Sequence, residues 1–177
     1  MTAIQKQPGN VNYLSPLGFR LTLNRAPHIE YFCQAAQLPT ISMNTVLQTN
    51  PVLNLRLPDT KIEFSEFSVR FRVDENMENY QEITRWMFGL GSPEDMNQYA
   101  ALVGTSRRPH AAGSNVYSDA RLIILTSHKN PNVEIALKDI FPTSITPLLF
   151  ETTNTDVQYL EAEATFVYRN FDINLIV

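Results

Sequence analysis

Residues 61–74 alternate apolar and polar side chains with the period of a strand half buried on one face, and residues 75–91 change to helical spacing with no long loop between. Within the strand the phase slips: Ile62 and Phe64 share one alternation, whereas Phe67, Val69, Phe71 and Val73 share the other. One extra residue near Ser65 and Glu66 has to be absorbed, which predicts a bulge or bend in a strongly curved strand. The helix is expected over residues 76–90. Asp74 or Asn76 caps it, Glu75 and Glu78 complement its dipole, and Gly89 and Gly91 end it. Tyr80, Ile83, Met87 and Leu90 define its core-facing stripe, with Trp86 beside them. Ser92, Pro93, Glu94 and Asp95 then suit the start of a short second helix reaching Val103.

The other periodic segments read as strands. Phe19, Leu21 and Leu23 alternate with Arg20, Thr22 and Asn24. A turn at residues 24–27 leads to a partner strand over residues 28–36, with Ile29, Tyr31 and Cys33 on one face and Phe32 on the other, so a hairpin is expected. Residues 120–126 include Leu122, Ile123, Ile124 and Leu125 in succession and are apolar enough to be buried on both sides. A turn at Asn130, Pro131 and Asn132 returns the chain into a strand carrying Val133, Ile135 and Leu137, a second hairpin. Residues 141–148, with Pro142 and Pro147, read as a connection. Residues 157–171 read as a long last strand, with residues 173–177 added to it. About seven or eight strands and one main helix describe a mainly β protein, a curved sandwich or barrel with the helix packed on one side.

Residues 41–57 have a different character. They are poor in charge, apolar at intervals, and interrupted by Pro51 with Pro58 following, which excludes the middle of a sheet throughout and fits an extended hairpin arm. Met43, Val46, Leu47, Val52, Leu53, Leu55 and Leu57 would stand exposed on such an arm unless something covers them. The cover is either another subunit or the protein's own core. Residues 1–15 are polar and read as an N-terminal arm, and residues 104–117 lack any usable period and read as a surface loop.

Composition narrows the class. At 177 residues and 44% hydrophobic, residues 16–177 are expected to form a single domain. A basic segment followed by an apolar core is missing from the N-terminal residues, and no apolar run approaches the roughly 20 residues of a membrane helix, so an intracellularly made soluble protein without a membrane partner is expected. A net charge of −4 speaks against a broad electropositive nucleic-acid surface. The single cysteine, Cys33, excludes an internal disulfide and reads as core filler rather than a reactive thiol.

Candidate chemistry adds little. His28, His110 and His128 fall on three elements without carboxylates or cysteines at metal-ligand spacing, so neither a metal nor a cofactor is expected. Phosphate loops, nucleophile elbows and paired zinc-binding histidines are missing, and no catalytic residue is assigned. Arg107, Arg108 and His110 are either a phosphate-binding group or solvated side chains of the loop. One charge pattern does stand out: residues 139–168 contain no Lys or Arg, while Glu161 and Glu163 share one face of the last strand opposite Leu160, Ala162, Ala164 and Phe166. That acidic face is either solvated or lines a passage from which it repels a negative polymer.

Three stretches together resemble the tail tube proteins of contractile-tailed bacteriophages: residues 32–39 before the long arm, residues 67–80 with Trp86 and residues 89–91, and Phe141 with Pro142 followed by residues 156–168. The resemblance runs from about residue 13 to the end and implies a barrel of the tail tube type with a flanking helix. It implies a non-enzymatic virion protein whose hexameric rings stack on themselves or on related tube proteins into a conduit for DNA, without binding DNA specifically. In this reading residues 41–57 are the inter-subunit arm, Glu161 and Glu163 face the lumen, and the helix lies outside the inner barrel near neighbouring subunits, sheath or baseplate. A tube initiator at the baseplate or a tube terminator has the same fold, and a lone barrel of this size could instead hold a small apolar ligand.

Overall fold

The computed structural model describes residues 12–91, Asn97, Tyr99, 116–152 and 158–176. The N-terminal arm up to residue 11, the short second helix apart from those two residues, and most of the loop 104–117, with Arg107, Arg108 and His110, lie outside the described residues. Nine strands and two helices follow one another as β1 (Phe19–Leu23), α1 (Pro27–Phe32), β2 (Cys33–Gln37), β3 (Ile41–Thr49), β4 (Asn54–Phe64), β5 (Phe67–Arg72), α2 (Glu78–Gly91), β6 (Ser118–Leu125), β7 (Pro131–Ile145), β8 (Glu161–Val167) and β9 (Asn170–Leu175) among the described residues.

Seven of these strands form one antiparallel curved sheet in the order β1-β6-β7-β8-β5-β2, with β9 also paired to β7. The curvature is made inside β7. Residues Val133 to Lys138 pair with β9 and with β6, whereas Phe141 to Ile145 pair with β8. Between the two halves Asp139 adopts a left-handed φ of 54°, where the register against β6 also slips. The extra residue resets the alternation, so Ile135 and Leu137 before it and Ile140 and Pro142 after it all point inward. Arg169 Nη1 meets Asp139 Oδ2 at 3.3 Å, and the Asp139 amide donates to Asp119 Oδ1 at 3.2 Å, so the corner is held on both sides. The connection expected at residues 141–148 is therefore strand through Ile145, and Pro142 is accommodated beside a second register slip.

The core fills the concave side of this sheet. Leu21, Leu23, Phe67, Val69, Phe71, Ile135, Leu137, Ile140, Ala162, Ala164 and Phe166 are buried there under Ile29 of α1 and Ile83 and Trp86 of α2. Helix α2 forms where the sequence placed it, but its buried line runs through Asn79, Ile83, Trp86 and Gly89. Tyr80, Met87 and Leu90 flank that line half-buried, so Trp86 is central to the packing rather than beside it. Trp86 donates to the Val116 carbonyl at 3.1 Å, packs 6.4 Å from Phe166 and carries the Arg25 guanidinium 5.3 Å above its ring.

Two expected strand features change. Residues 28–36 do not pair with β1: Pro27 opens helix α1 at its first turn, and only the later residues extend as β2, which pairs with β5. Ile29 is buried while Tyr31 is 85% exposed, so helical spacing overrode the alternation that had put them on one face. Tertiary partners fix the helix: Glu30 Oε1 accepts from Arg20 Nε at 3.2 Å, and Glu82 Oε2 accepts the otherwise orphan amide of His28 at 3.3 Å. The phase slip at Ser65 and Glu66 is likewise real, but it marks a change of sheet. Ile62 and Phe64 belong to β4, which pairs only with β3 in a separate two-stranded ribbon, while β5 begins the core sheet. In β6, only Ala120 and Leu122 are fully buried, because Arg121 and Ile123 lie on the solvated convex face.

Candidate assembly surfaces

The ribbon β3–β4 is the hairpin arm expected from residues 41–57, prolonged at its root to Phe64. At its root, Ile41 pairs with Phe64 and Met43 with Ile62, giving one apolar face, while Asn44 Nδ2 donates to Glu63 Oε1 at 3.0 Å on the other. Beyond a register slip after Met43, Val46 pairs with Leu57 and Gln48 with Leu55 on one face, and Leu47 pairs with Arg56 on the opposite one. Pro51, Val52 and Leu53 form the tip. Met43, Val46, Leu47, Val52, Leu53, Leu55 and Leu57 are between 42% and 96% exposed, so the arm does not fold over its own core. A two-stranded ribbon with apolar residues uncovered on both faces is marginal on its own and a ready surface for association.

The arm leaves the domain at a fixed point. The Thr40 amide donates to Ser65 Oγ at 2.6 Å, the Ser65 amide returns a bond to the Thr40 carbonyl at 3.0 Å, and Tyr168 Oη donates to the Ser65 carbonyl at 2.9 Å. Phe64, Tyr168 and Phe171 pack with ring centroids 5.7 to 6.0 Å apart. Burial raises the pKa of the Tyr168 phenol, which favours its role as donor.

Glu161 and Glu163 stand exposed on the convex face of β8 and Ala162, Ala164 and Phe166 are buried behind them, as the alternation predicted. Strand pairing adds what the alternation could not show: Arg72 lies opposite Glu161 and Arg70 opposite Glu163. Arg72 Nε is 4.0 Å from Glu161 Oε1, and Gln34, with its amide turned accordingly, donates to Glu161 Oε1 at 2.7 Å and accepts from Arg72 Nη2 at 3.2 Å. The face is charge-balanced rather than acidic. Both arginines sat at the polar positions of the central alternation, but only the β5–β8 register brings them to the glutamates.

Among the described residues no three His, Cys, Asp or Glu side chains are grouped to hold a metal, and no helix is long and apolar enough to cross a membrane. Cys33 is half-buried, with its thiol pKa pushed up to about 11 chiefly by burial, which leaves it protonated and unreactive near neutrality. His28 holds Glu82 Oε1 at 2.5 Å and Glu78 Oε2 at 3.6 Å, and its pKa is raised, first by the Glu82 hydrogen bond. This cluster ties α1 to α2.

The curved sheet with its projecting arm is the fold of the tubes of contractile injection systems. The cap that terminates the tube of the anti-feeding prophage superposes with a TM-score of 0.62 at 13% identity, covering 99% of this chain and 100% of that one. The sheath–tube complex of the extracellular contractile injection system PVC, in its extended state, gives a TM-score of 0.56 at 12% identity over 99% of both chains. The sheath/tube terminator of the same system gives 0.57 at 13% identity over 93% of this chain and 99% of that one. No curated protein sequence matches. The profile of the phage tail tube protein family matches residues 4–174, and the chain belongs to that family.

Proposed function

We propose that this protein is a non-enzymatic subunit of a phage tail tube, located in the virion tail, that assembles into hexameric rings which stack into a conduit for DNA. The observation that carries this reading is the arm: a ribbon rooted through Thr40, Ser65 and Tyr168 whose apolar side chains stand 42% to 96% exposed among the described residues. A second subunit is its natural cover. Each Å2 of apolar arm surface removed from water contributes about 25 cal/mol before the costs of ordering and association. Among the described residues the sheet path ends at β1 and β2, which do not pair with each other, and such edges suit strands of neighbouring subunits. Family membership supports the tube, and a relative of the same fold comes from a baseplate described as 6-fold symmetrised, which supports rings of six.

In this arrangement the convex face bearing Glu161 and Glu163 lines the lumen. With Arg70 and Arg72 interleaved, it avoids trapping DNA by balancing charge rather than by strong repulsion. Sheath and baseplate proteins are the other partners. A second reading, a terminator or initiator that forms one ring, is favoured by the cap and terminator structures, which superpose as well as the sheath–tube complex does. Negative-stain microscopy of the purified protein separates the readings. Long hollow tubes establish the repeating subunit and single rings the end piece, whereas a monodisperse 20.2 kDa monomer would reject assembly altogether.

A further inference from the structure

We propose that the tip of the arm seats in an apolar cleft at the far end of the same sheet on a second copy of this chain; the proposal rests on the tube-assembly reading. The cleft, of about 660 Å3, is lined by Phe32, Val73, Met77, Phe150, Tyr159 and Leu160. Its volume lies within the roughly 300–1,000 Å3 of sites that hold a compact ligand. Phe150 and Tyr159 on its walls are about 70% exposed, so apolar surface is left uncovered there among the described residues.

Topology puts the arm's root and the cleft at opposite ends of β5. Strand β5 leaves the arm's root at Ser65 and reaches the cleft at Arg72 and Val73, about 20 Å away at strand rise. β2 and β8 run back antiparallel beside it, with Phe32 and Leu160 adjoining their cleft ends and Tyr168 at the root. The arm extends the root by about 30 Å, the length of a nine-residue strand. An exposed apolar knob at one end and an uncovered apolar cleft at the other define a head-to-tail contact, which repeats from copy to copy instead of closing on itself as a two-fold dimer does.

Charge agrees with shape. Arg56 is the one charged residue between positions 41 and 58, three residues from Leu53 at the tip. The cleft rim presents Asp74 and Glu75. Its own cation, Arg72, is already engaged by Glu161 and lies over the Tyr159 ring at 5.4 Å. An incoming Arg56 therefore meets net negative charge, which orients the tip as Pro51, Val52 and Leu53 enter.

Disulfide trapping in a Cys33→Ser background tests the seat. Chains carrying Val52→Cys are mixed with chains carrying Gln158→Cys, or with chains carrying Arg121→Cys on the convex face as control, then oxidised after assembly and read on non-reducing gels. The cross-link is expected with Gln158→Cys and not with Arg121→Cys. In parallel, Arg56→Glu is expected to weaken association about ten-fold or more, with Glu75→Arg restoring it. Assemblies that form normally while Val52→Cys stays unlinked, links equally to the control, or shows no rescue by Glu75→Arg overturn the seat and leave the tube reading standing. A chain that stays monomeric at every concentration overturns both.

Discussion

Asn79 shows how one residue can weld two elements. It is fully buried, its Nδ2 donates to the Arg72 carbonyl at 2.7 Å, and its Oδ1 accepts from the amides of Tyr80 and Asp74 at 2.8 and 3.4 Å. Asp74 Oδ1 in turn accepts from the Asn79 amide at 3.4 Å, which selects Asp74 over Asn76 as the cap. Met77, at φ 57°, turns the chain between strand and helix. Asn79→Ala strands these groups and is expected to lower stability by about 1–3 kcal/mol in urea unfolding, with the arm and the surface unaffected. His28 makes a pH-dependent link. Its pKa is raised by Glu82, with smaller contributions from Glu78 and Asp74, so the stabilisation is fully present below the ordinary value of 6.5 and is lost as pH rises through the raised folded value. As pH rises above the ordinary imidazole value of 6.5, the melting temperature of the wild type is expected to fall more than that of His28→Gln; parallel profiles would remove His28 from the account. Position 79 was readable as helical, but its burial was not, because an asparagine carries no apolar signal and its partners come from β5.

At the scale of elements, the arm beyond its root pairs only with itself. Residues 45–55 pair only within the ribbon and none belongs to the core cluster, so on deleting them circular dichroism and thermal unfolding are expected to stay close to wild type while sedimentation shows loss of stacked assemblies. Stacks that persist after the deletion would reassign the arm. The sequence located this boundary through the phase slip between Phe64 and Phe67. Its meaning stayed ambiguous, since a bulge within one strand and a step between two sheets make the same break in alternation. The reverse happened in β7, where Pro142 reads as a break and yet the strand continues, because the bulge at Asp139 restores the inward phase for Ile140. Helix α1 was hidden for another reason: six residues are too few to show a helical period, and the residues that hold it, Arg20 on β1 and Glu82 on α2, belong to other elements.

For the whole molecule, the proposed lumen leads to a test that depends on the β5–β8 register. Glu161→Lys would set like charges opposite Arg72 and confuse passage with folding, so the neutral pair Glu161→Gln with Glu163→Gln is the cleaner probe. It leaves Arg70 and Arg72 unbalanced, and particles carrying it are expected to assemble normally but eject DNA more slowly, the defect shrinking as salt rises. Normal ejection would place this face away from the passage. The sequence by itself determined the mainly β class, the main helix, the β6–β7 hairpin, the inward and outward sides of β8 and the existence of an apolar arm. All of these depend on local periodicity, which side chains display in order along the chain. Only the tertiary structure decided that β1 pairs with β6 and β2 with β5, that β7 bends through both halves of the sheet, that Arg70 and Arg72 lie opposite the glutamates, and that the arm's root and an exposed cleft stand at opposite ends of β5. Those facts depend on which distant segments meet, and alternation constrains the face of a strand while leaving its partner free.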